Sequence, residues 1–172
     1  ASTLALAVPA QVTNRDEAVR ALADPSPQTR RNAVRQLGDV GTMADVALLL
    51  KALRDGDAET RELAEQSIWQ VWSRSGDADI DRLYQAGVEQ MAAGDLQQSI
   101  ATFTRVIQKK PDFAEGWNKR ATLYFLAGDM RKSLSDCAEV MKRNPYHFGA
   151  LSGYAMIYVR LEEYSRALEF SR

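Results

Sequence analysis

The sequence predicts an all-α solenoid, and three observations predict it: an internal echo of period 34 in the C-terminal part, a different echo of period 31 before it, and helical spacing of the apolar residues in both. Gly94-Asp95-Leu96 returns as Gly128-Asp129-Met130 and again as Glu162-Glu163-Tyr164, and Pro111 returns as Pro145. A repeat of that length is one helical hairpin. It cannot bury its apolar face alone, so successive copies must stack. The expected product is a binding surface rather than a catalytic pocket.

Residues 1–13 form an N-terminal tail. Ala1 to Ala10 are small and apolar, and Val8-Pro9-Ala10 before Gln11 has the small-residue character of a secretory cleavage site. Two readings stay open: the remnant of an export signal, which favours an exported or periplasmic protein, or an Ala-rich terminus on a cytoplasmic one. Ten residues fall short of the roughly 20 that a membrane span takes.

Residues 14–76 hold the first array. Val19, Leu22, Asp24, Thr29, Arg30, Ala33, Leu37 and Val40 recur 31 residues later as Leu50, Leu53, Asp55, Thr60, Arg61, Ala64, Ile68 and Val71. Ala33, Leu37 and Val40, and their copies Ala64, Ile68 and Val71, share one helical stripe. Ser26 is placed to cap a helix whose first residue is Pro27, and Asp57 to cap the matching helix of the second copy. Each copy therefore reads as helix, short turn, helix. The polar stretch Ser73-Arg74-Ser75-Gly76-Asp77 ends the array, and Trp69 and Trp72 just before it are expected to close its last face against the helix that follows.

Residues 77–172 hold the second array, with copies at 80–113, 114–147 and an incomplete 148–172. Small residues recur at two places, Gly87, Ala121, Ala155 and Ser99, Ser133, Ala167, where they let paired helices approach closely. Arg120 and Gln90 put polar tips near that packed interface and so need partners; Asp136 on the following helix is the expected partner of Arg120. The open third copy leaves Leu161, Tyr164, Leu168 and Phe170 without a covering helix, which suggests either a longer chain or a contact with another copy.

The pattern Asp-x4-Thr-Arg-x2-Ala-x3-Leu/Ile of the first array resembles the HEAT family in its short bacterial form, as in bilin-lyase-type proteins, although 31 residues is below the usual HEAT length of about 40–47. The resemblance implies that Asp24 and Asp55 hold the inter-helix turns and that Arg30 and Arg61 stack in a ladder between repeats. From Ile80 onward the chain resembles the tetratricopeptide repeat. Leu83, Ala86, Gly87, Gly94, Ser99, Phe103 and Pro111 occupy its signature places in the first copy, and Trp117, Ala121, Tyr124, Gly128, Ser133, Cys137 and Pro145 in the second. Leu151, Tyr154, Ala155, Tyr158, Ala167 and Leu168 continue the series in the third.

That second resemblance implies a right-handed superhelix whose inner face binds peptides or helices. The places it assigns to partner contact are Tyr84, Val88 and Met91, then Asn118, Thr122 and Phe125, then Ser152, Met156 and Val159, with Asp81 and Glu115 beside them. The strip Val88, Met91, Phe125 and Met156 suits the apolar face of an amphipathic helix. Family members that clamp a C-terminal carboxylate do so with Lys and Asn side chains. Here Tyr84, Val88, Gly149 and Gly153 stand at four of the five clamp places, and only Lys119 could serve.

Composition narrows the chemistry further. There are 22 basic and 23 acidic residues, 9 and 12 of them up to residue 80 and 13 and 11 beyond, so no excess of cations favours a nucleic-acid backbone. One cysteine and one histidine rule out an internal disulfide and a Cys/His zinc site. No phosphate-binding glycine loop and no Ser/His/Asp set is present. Cys137 falls where a repeat places a packed side chain, which predicts a buried inert thiol, and His147 falls where it can cap the next helix. The expectation is a non-enzymatic protein-binding module with no cofactor or metal, whose partner is another protein or peptide. Two alternatives remain: an accessory protein for cofactor attachment, holding a bilin-like ligand near Trp69 and Trp72, and a self-assembling scaffold that forms homo-oligomers through the open third repeat.

Overall fold

The structure, a computed structural model, describes residues 14–170, with side chains described as far as Glu163. The expected leader remnant at 1–13 and the side chains of Tyr164, Ala167, Leu168 and Phe170 lie outside the described residues. The described chain is helical and divides into two compact units, Ala1–Arg74 and Ser75–Arg172.

In the first unit, α1 (Arg15–Ala21) pairs with α2 (Pro27–Val40), and α3 (Val46–Ala52) pairs with α4 (Ala58–Trp72). The two longer helices, α2 and α4, start on the caps their sequence promised. Ser26 Oγ accepts from the Thr29 amide at 3.4 Å with Pro27 next to it, and Asp57 accepts from the Thr60 amide at 2.9 Å. One element was not foreseen. A 3-10 turn, Met43–Asp45, leads into α3, closed by Thr42 and Asp45 bonding each other's backbone. The long helices α2 and α4 pack along each other through buried Ala33, Val34, Leu37, Ala64 and Ile68. Gly38 allows the approach: a Cβ there would lie 2.7 Å from Ser67 Oγ, and that hydroxyl donates to the Val34 carbonyl at 3.0 Å.

Charged side chains set the register between these two repeats. Arg30 is bidentate on Asp55, at 2.7 and 2.8 Å, and Arg31 is bidentate on Asp57, at 2.8 Å for both bonds. Arg30 also donates to the carbonyls of Asp24 and Pro25, as Arg61 does to those of Asp55 and Gly56. The Asp24 and Asp55 carboxylates accept from the amides of Ser26 and Asp57 and so close the two turns. Of the two arginines that the first resemblance placed in a ladder, Arg30 reaches across to the next repeat, whereas Arg61 bonds the carbonyls of its own turn.

The second unit runs α5 (Ala78–Ala92), α6 (Leu96–Lys109), α7 (Ala114–Leu126), α8 (Met130–Arg143) and α9 (Phe148–Phe170), each packed on its neighbour in sequence, with α7 also touching α9. The turns after α5 and α7 use Gly94 at φ 81° and Gly128 at φ 82°, a left-handed backbone that side chains disfavour. At the third copy of that turn stands Glu162. A glutamate favours the helix and resists the left-handed region, and α9 accordingly runs on through 162–164 without turning. Ser99 and Ser133 hydroxyls donate to the Gly87 and Ala121 carbonyls, both at 2.8 Å, so the small-residue places do hold the paired helices close.

Both polar intruders find partners. Arg120 is bidentate on Asp136, at 2.7 and 2.8 Å, and its third nitrogen donates to Thr104 Oγ1 at 3.1 Å. Gln90 accepts from Thr102 Oγ1 at 2.7 Å. The hydrogen bonds that Arg120 donates to Asp136 raise the already high pKa of its guanidinium, against the opposing pull of burial.

Candidate protein-binding groove

A groove of about 140 Å³ opens between α7 and α9. Its floor is small or apolar, formed by Ala121, Cys137, Gly153 and Ile157. Phe125 and Met156 form its apolar walls; Asn118, Thr122 and Ser152 supply the polar groups along it. The glycine matters to its depth, because a Cβ at Gly153 would lie 3.4 Å from Cys137 Sγ and a larger side chain would fill the space. Burial pushes the Cys137 thiol up to about 11, which leaves it protonated and unreactive at neutral pH, as expected from its place in the repeat.

The two walls are tied together at their N-terminal ends. His147 Nδ1 accepts from the Ala150 amide at 3.1 Å and so caps α9. The ring proton must then sit on Nε2, which donates to Glu115 Oε2 on α7 at 2.8 Å. Glu115 Oε1 in turn accepts from Asn118 Nδ2 at 3.0 Å and faces Lys119 Nζ at 3.4 Å. Both Glu115 and His147 side chains are fully buried, so this bridge is a built part of the core. Capping by His147 was legible in the sequence. Its bond to Glu115 was not, because the two stand 32 positions apart with nothing but the repeat to relate them.

Of the nine residues assigned to partner contact, the groove gathers Asn118, Thr122, Phe125, Ser152 and Met156. Tyr84 is corrected. It is 6% exposed and packs edge-on against Phe103 and Phe113, with ring centroids 5.6 and 5.5 Å away, so its ring belongs to the core of the first repeat. Val88 and Met91 are half-buried against that same core. Val159 is exposed one turn beyond Met156 and outside the groove. Glu115, placed on the inner face by its position in the repeat, is buried under His147, and Asp81 accepts from the Ser75 amide at 2.7 Å at the entry to α5. Lys119, the possible clamp remnant, is taken up by Glu115. The floor residues Ala121, Cys137 and Gly153 were missed as lining, because spacing marked Ala121 and Cys137 only as packed positions.

A second cavity, about 300 Å³, lies between α1 and α3 of the first unit, lined by Val19, Leu22, Leu48 and Ala52. Arg30 and Asp55 reach it too, but they are bonded to each other. Trp69 and Trp72 meet edge to face at 5.3 Å; Trp72 is buried and Trp69 half-buried. Among the described residues no group of His, Cys, Asp and Glu side chains could hold a metal ion, and no helix is long and apolar enough to cross a membrane.

Comparison with known proteins agrees with this architecture. Residues 2–69 match the HEAT repeats family. Over 104 residues the chain is 38% identical to a TPR repeat-containing protein of Rhizobium etli, a match that covers 60% of this chain and 51% of that protein. The chain is thus similar to repeats of both kinds. The match spans about half the length of that relative. No solved structure matches it. HEAT and tetratricopeptide arrays generally mediate contacts between proteins and are typically non-enzymatic scaffolds, because stacking leaves them a long surface rather than an enclosed pocket.

Proposed function

We propose that this HEAT–tetratricopeptide chain is a protein-interaction module that holds a helical or extended segment of a partner protein in the groove between α7 and α9. The observation that carries the reading is the convergence of Phe125 and Met156 over a floor of small residues, with Asn118, Thr122 and Ser152 along the same groove. An apolar slot with a few fixed polar groups suits one anchoring side chain of a partner and hydrogen bonds to the backbone beside it. The rigid bridge from Glu115 to His147 supports this, since a groove whose walls are already tied loses little freedom when it binds. Met156 adds an adaptable surface, 54% exposed, that can fit more than one aliphatic anchor.

The experiment is selection of peptides on the immobilised protein, followed by affinity measurement against the double variant Phe125→Ala plus Met156→Ala. Removal of both walls should weaken selected peptides at least tenfold, about 1.4 kcal/mol. Equal affinity for both forms would place binding elsewhere on the molecule.

A further inference from the structure

The face that α9 turns to the groove, with Ser152, Gly153, Met156 and Ile157, continues one turn beyond Met156 to Arg160. The Arg160 guanidinium lies over the Phe125 ring, 5.6 Å from its centroid, and so reaches from α9 to the opposite wall on α7. Among the described residues it forms no ion pair, Glu163 three places on included. The cation nearer the other end of the groove differs. Lys119 faces the buried Glu115 carboxylate at 3.4 Å, so its charge is met inside the protein. Arg160 is therefore the unmatched positive charge beside the slot.

This place on the helix does not owe its openness to a missing neighbour. Subtracting 34 and then 68 from 160 gives Leu126 and Ala92. Both are exposed, although the second helix of each repeat and the first helix of the next are in place around them. A completed repeat thus leaves the Arg160 position in solvent at the edge of the inner face.

We propose that the partner segment held in the groove carries an aspartate or glutamate beside its apolar anchor, and that Arg160 receives that carboxylate. The proposal rests on the groove reading and adds the chemical character of the occupant. A contact between a cation and a ring uses none of the five guanidinium N–H donors, so the fork stays whole for a bidentate carboxylate. The ring also restricts a long side chain before the partner arrives, which lowers the entropy lost on binding. Arg160 is none of the places through which clamp-bearing family members hold a chain terminus, and its place one turn past Met156 suits an acidic side chain within the segment. Four residues separate Met156 from Arg160, about 6 Å along α9. An extended partner covers that distance with about two residues and a helical one with about four, which sets the offset between anchor and acid.

Selection of a random peptide library on the full chain should return sequences with Asp or Glu at one fixed offset from an apolar anchor. For the best of these peptides, synthesised and titrated by fluorescence anisotropy, Arg160→Gln should weaken binding about threefold. Circular dichroism should not change, because the side chain is exposed. Arg160→Glu should reverse the preference, so that a peptide with Lys in place of the acidic residue binds this variant better than the original peptide does. A purely structural arginine would not exchange one charge preference for the other. Phe125→Ala plus Met156→Ala should weaken the acidic peptide and its Lys version alike. If the acidic peptide and its Asn or Gln version bind equally, or Arg160→Glu fails to reverse the preference while the wall variant still weakens binding, the inference falls and the groove reading stands. An empty selection, or peptides indifferent to the wall variant, overturns both.

Discussion

The two units solve one problem, the registering of a helical hairpin on the next, by different chemistry. In the first, arginines of one repeat grip aspartates of the other: Arg30 on Asp55 and Arg31 on Asp57, with Arg15 reaching Asp45. These pairs lie at the ends of helices and double as turn closures and caps. In the second unit the approach is largely steric, with Gly87 under Phe103 and serine hydroxyls on carbonyls, and its buried charged side chains meet at Arg120–Asp136 and Glu115–His147. The first device tolerates loose packing but depends on ionisation. The second leaves no room for an added methyl group.

The largest expected effect comes from the buried charge. Arg120→Leu leaves Asp136 ionised and nearly buried without its bidentate partner, which should cost about 3–5 kcal/mol of unfolding free energy in chemical denaturation. The double change Arg120→Leu plus Asp136→Leu should recover most of that loss. If Arg120→Leu melts at the parental temperature, the pair does not hold α7 to α8.

Next comes the steric test. A Cβ at Gly87 would lie 2.8 Å from Cζ of Phe103, a fully buried ring with no room to retreat. Gly87→Ala should therefore destabilise the second unit by about 1–3 kcal/mol, even though alanine favours helix, and adding Phe103→Leu should return part of it. A stabilised Gly87→Ala would mean that α5 and α6 can separate freely. Arg30→Ala in the first unit removes one rung whose partner keeps some water contact, and about 1–2 kcal/mol is expected from the lost charged hydrogen bonds.

Much of this contrast could be read in the sequence, and what could not is instructive. The turn aspartates, the caps at Ser26 and Asp57, the partner of Arg120 and the inertness of Cys137 all follow from local spacing or from one repeat offset. Tyr84 misled because position in a repeat fixes which flank of a helix a residue occupies but not how far that flank is sunk; the small Gly87 and the large Phe103 draw Tyr84 inward. Glu115 misled for a related reason, since the histidine that buries it belongs to the next repeat's loop. Glu162-Glu163-Tyr164 kept the echo's place and lost its glycine, and the backbone followed the residue rather than the period.

The smallest effect at neutral pH, and the one that most directly separates the units, is the response to acid. Asp57 is held well below the usual carboxylate range by Arg31 and by both donors of Thr60, and Asp55 is lowered by Arg30. For Asp45 burial works the other way, but Arg15 and Thr42 outweigh it and its pKa is lowered as well. A carboxylate with a lowered folded pKa stabilises the fold fully above its unfolded value of about 4, and that contribution disappears as pH falls through the folded value. All three aspartates bond residues of the neighbouring helix pair, so acid should dissolve contacts between repeats in the first unit. In the second unit Asp77, Asp129 and Glu139 are also lowered, yet the groups that bond them stand within four residues, and their loss should fray helix ends rather than part the repeats. Trp117→Phe leaves Trp69 and Trp72 as reporters of the first unit alone. In that variant the fluorescence melting temperature should hold steady down to about pH 5 and drop below about pH 4, ahead of the loss of helix signal from the second unit. Coincident acid transitions in the two signals would show that ionic rungs and steric contacts carry the same load, and the distinction between the units would fall.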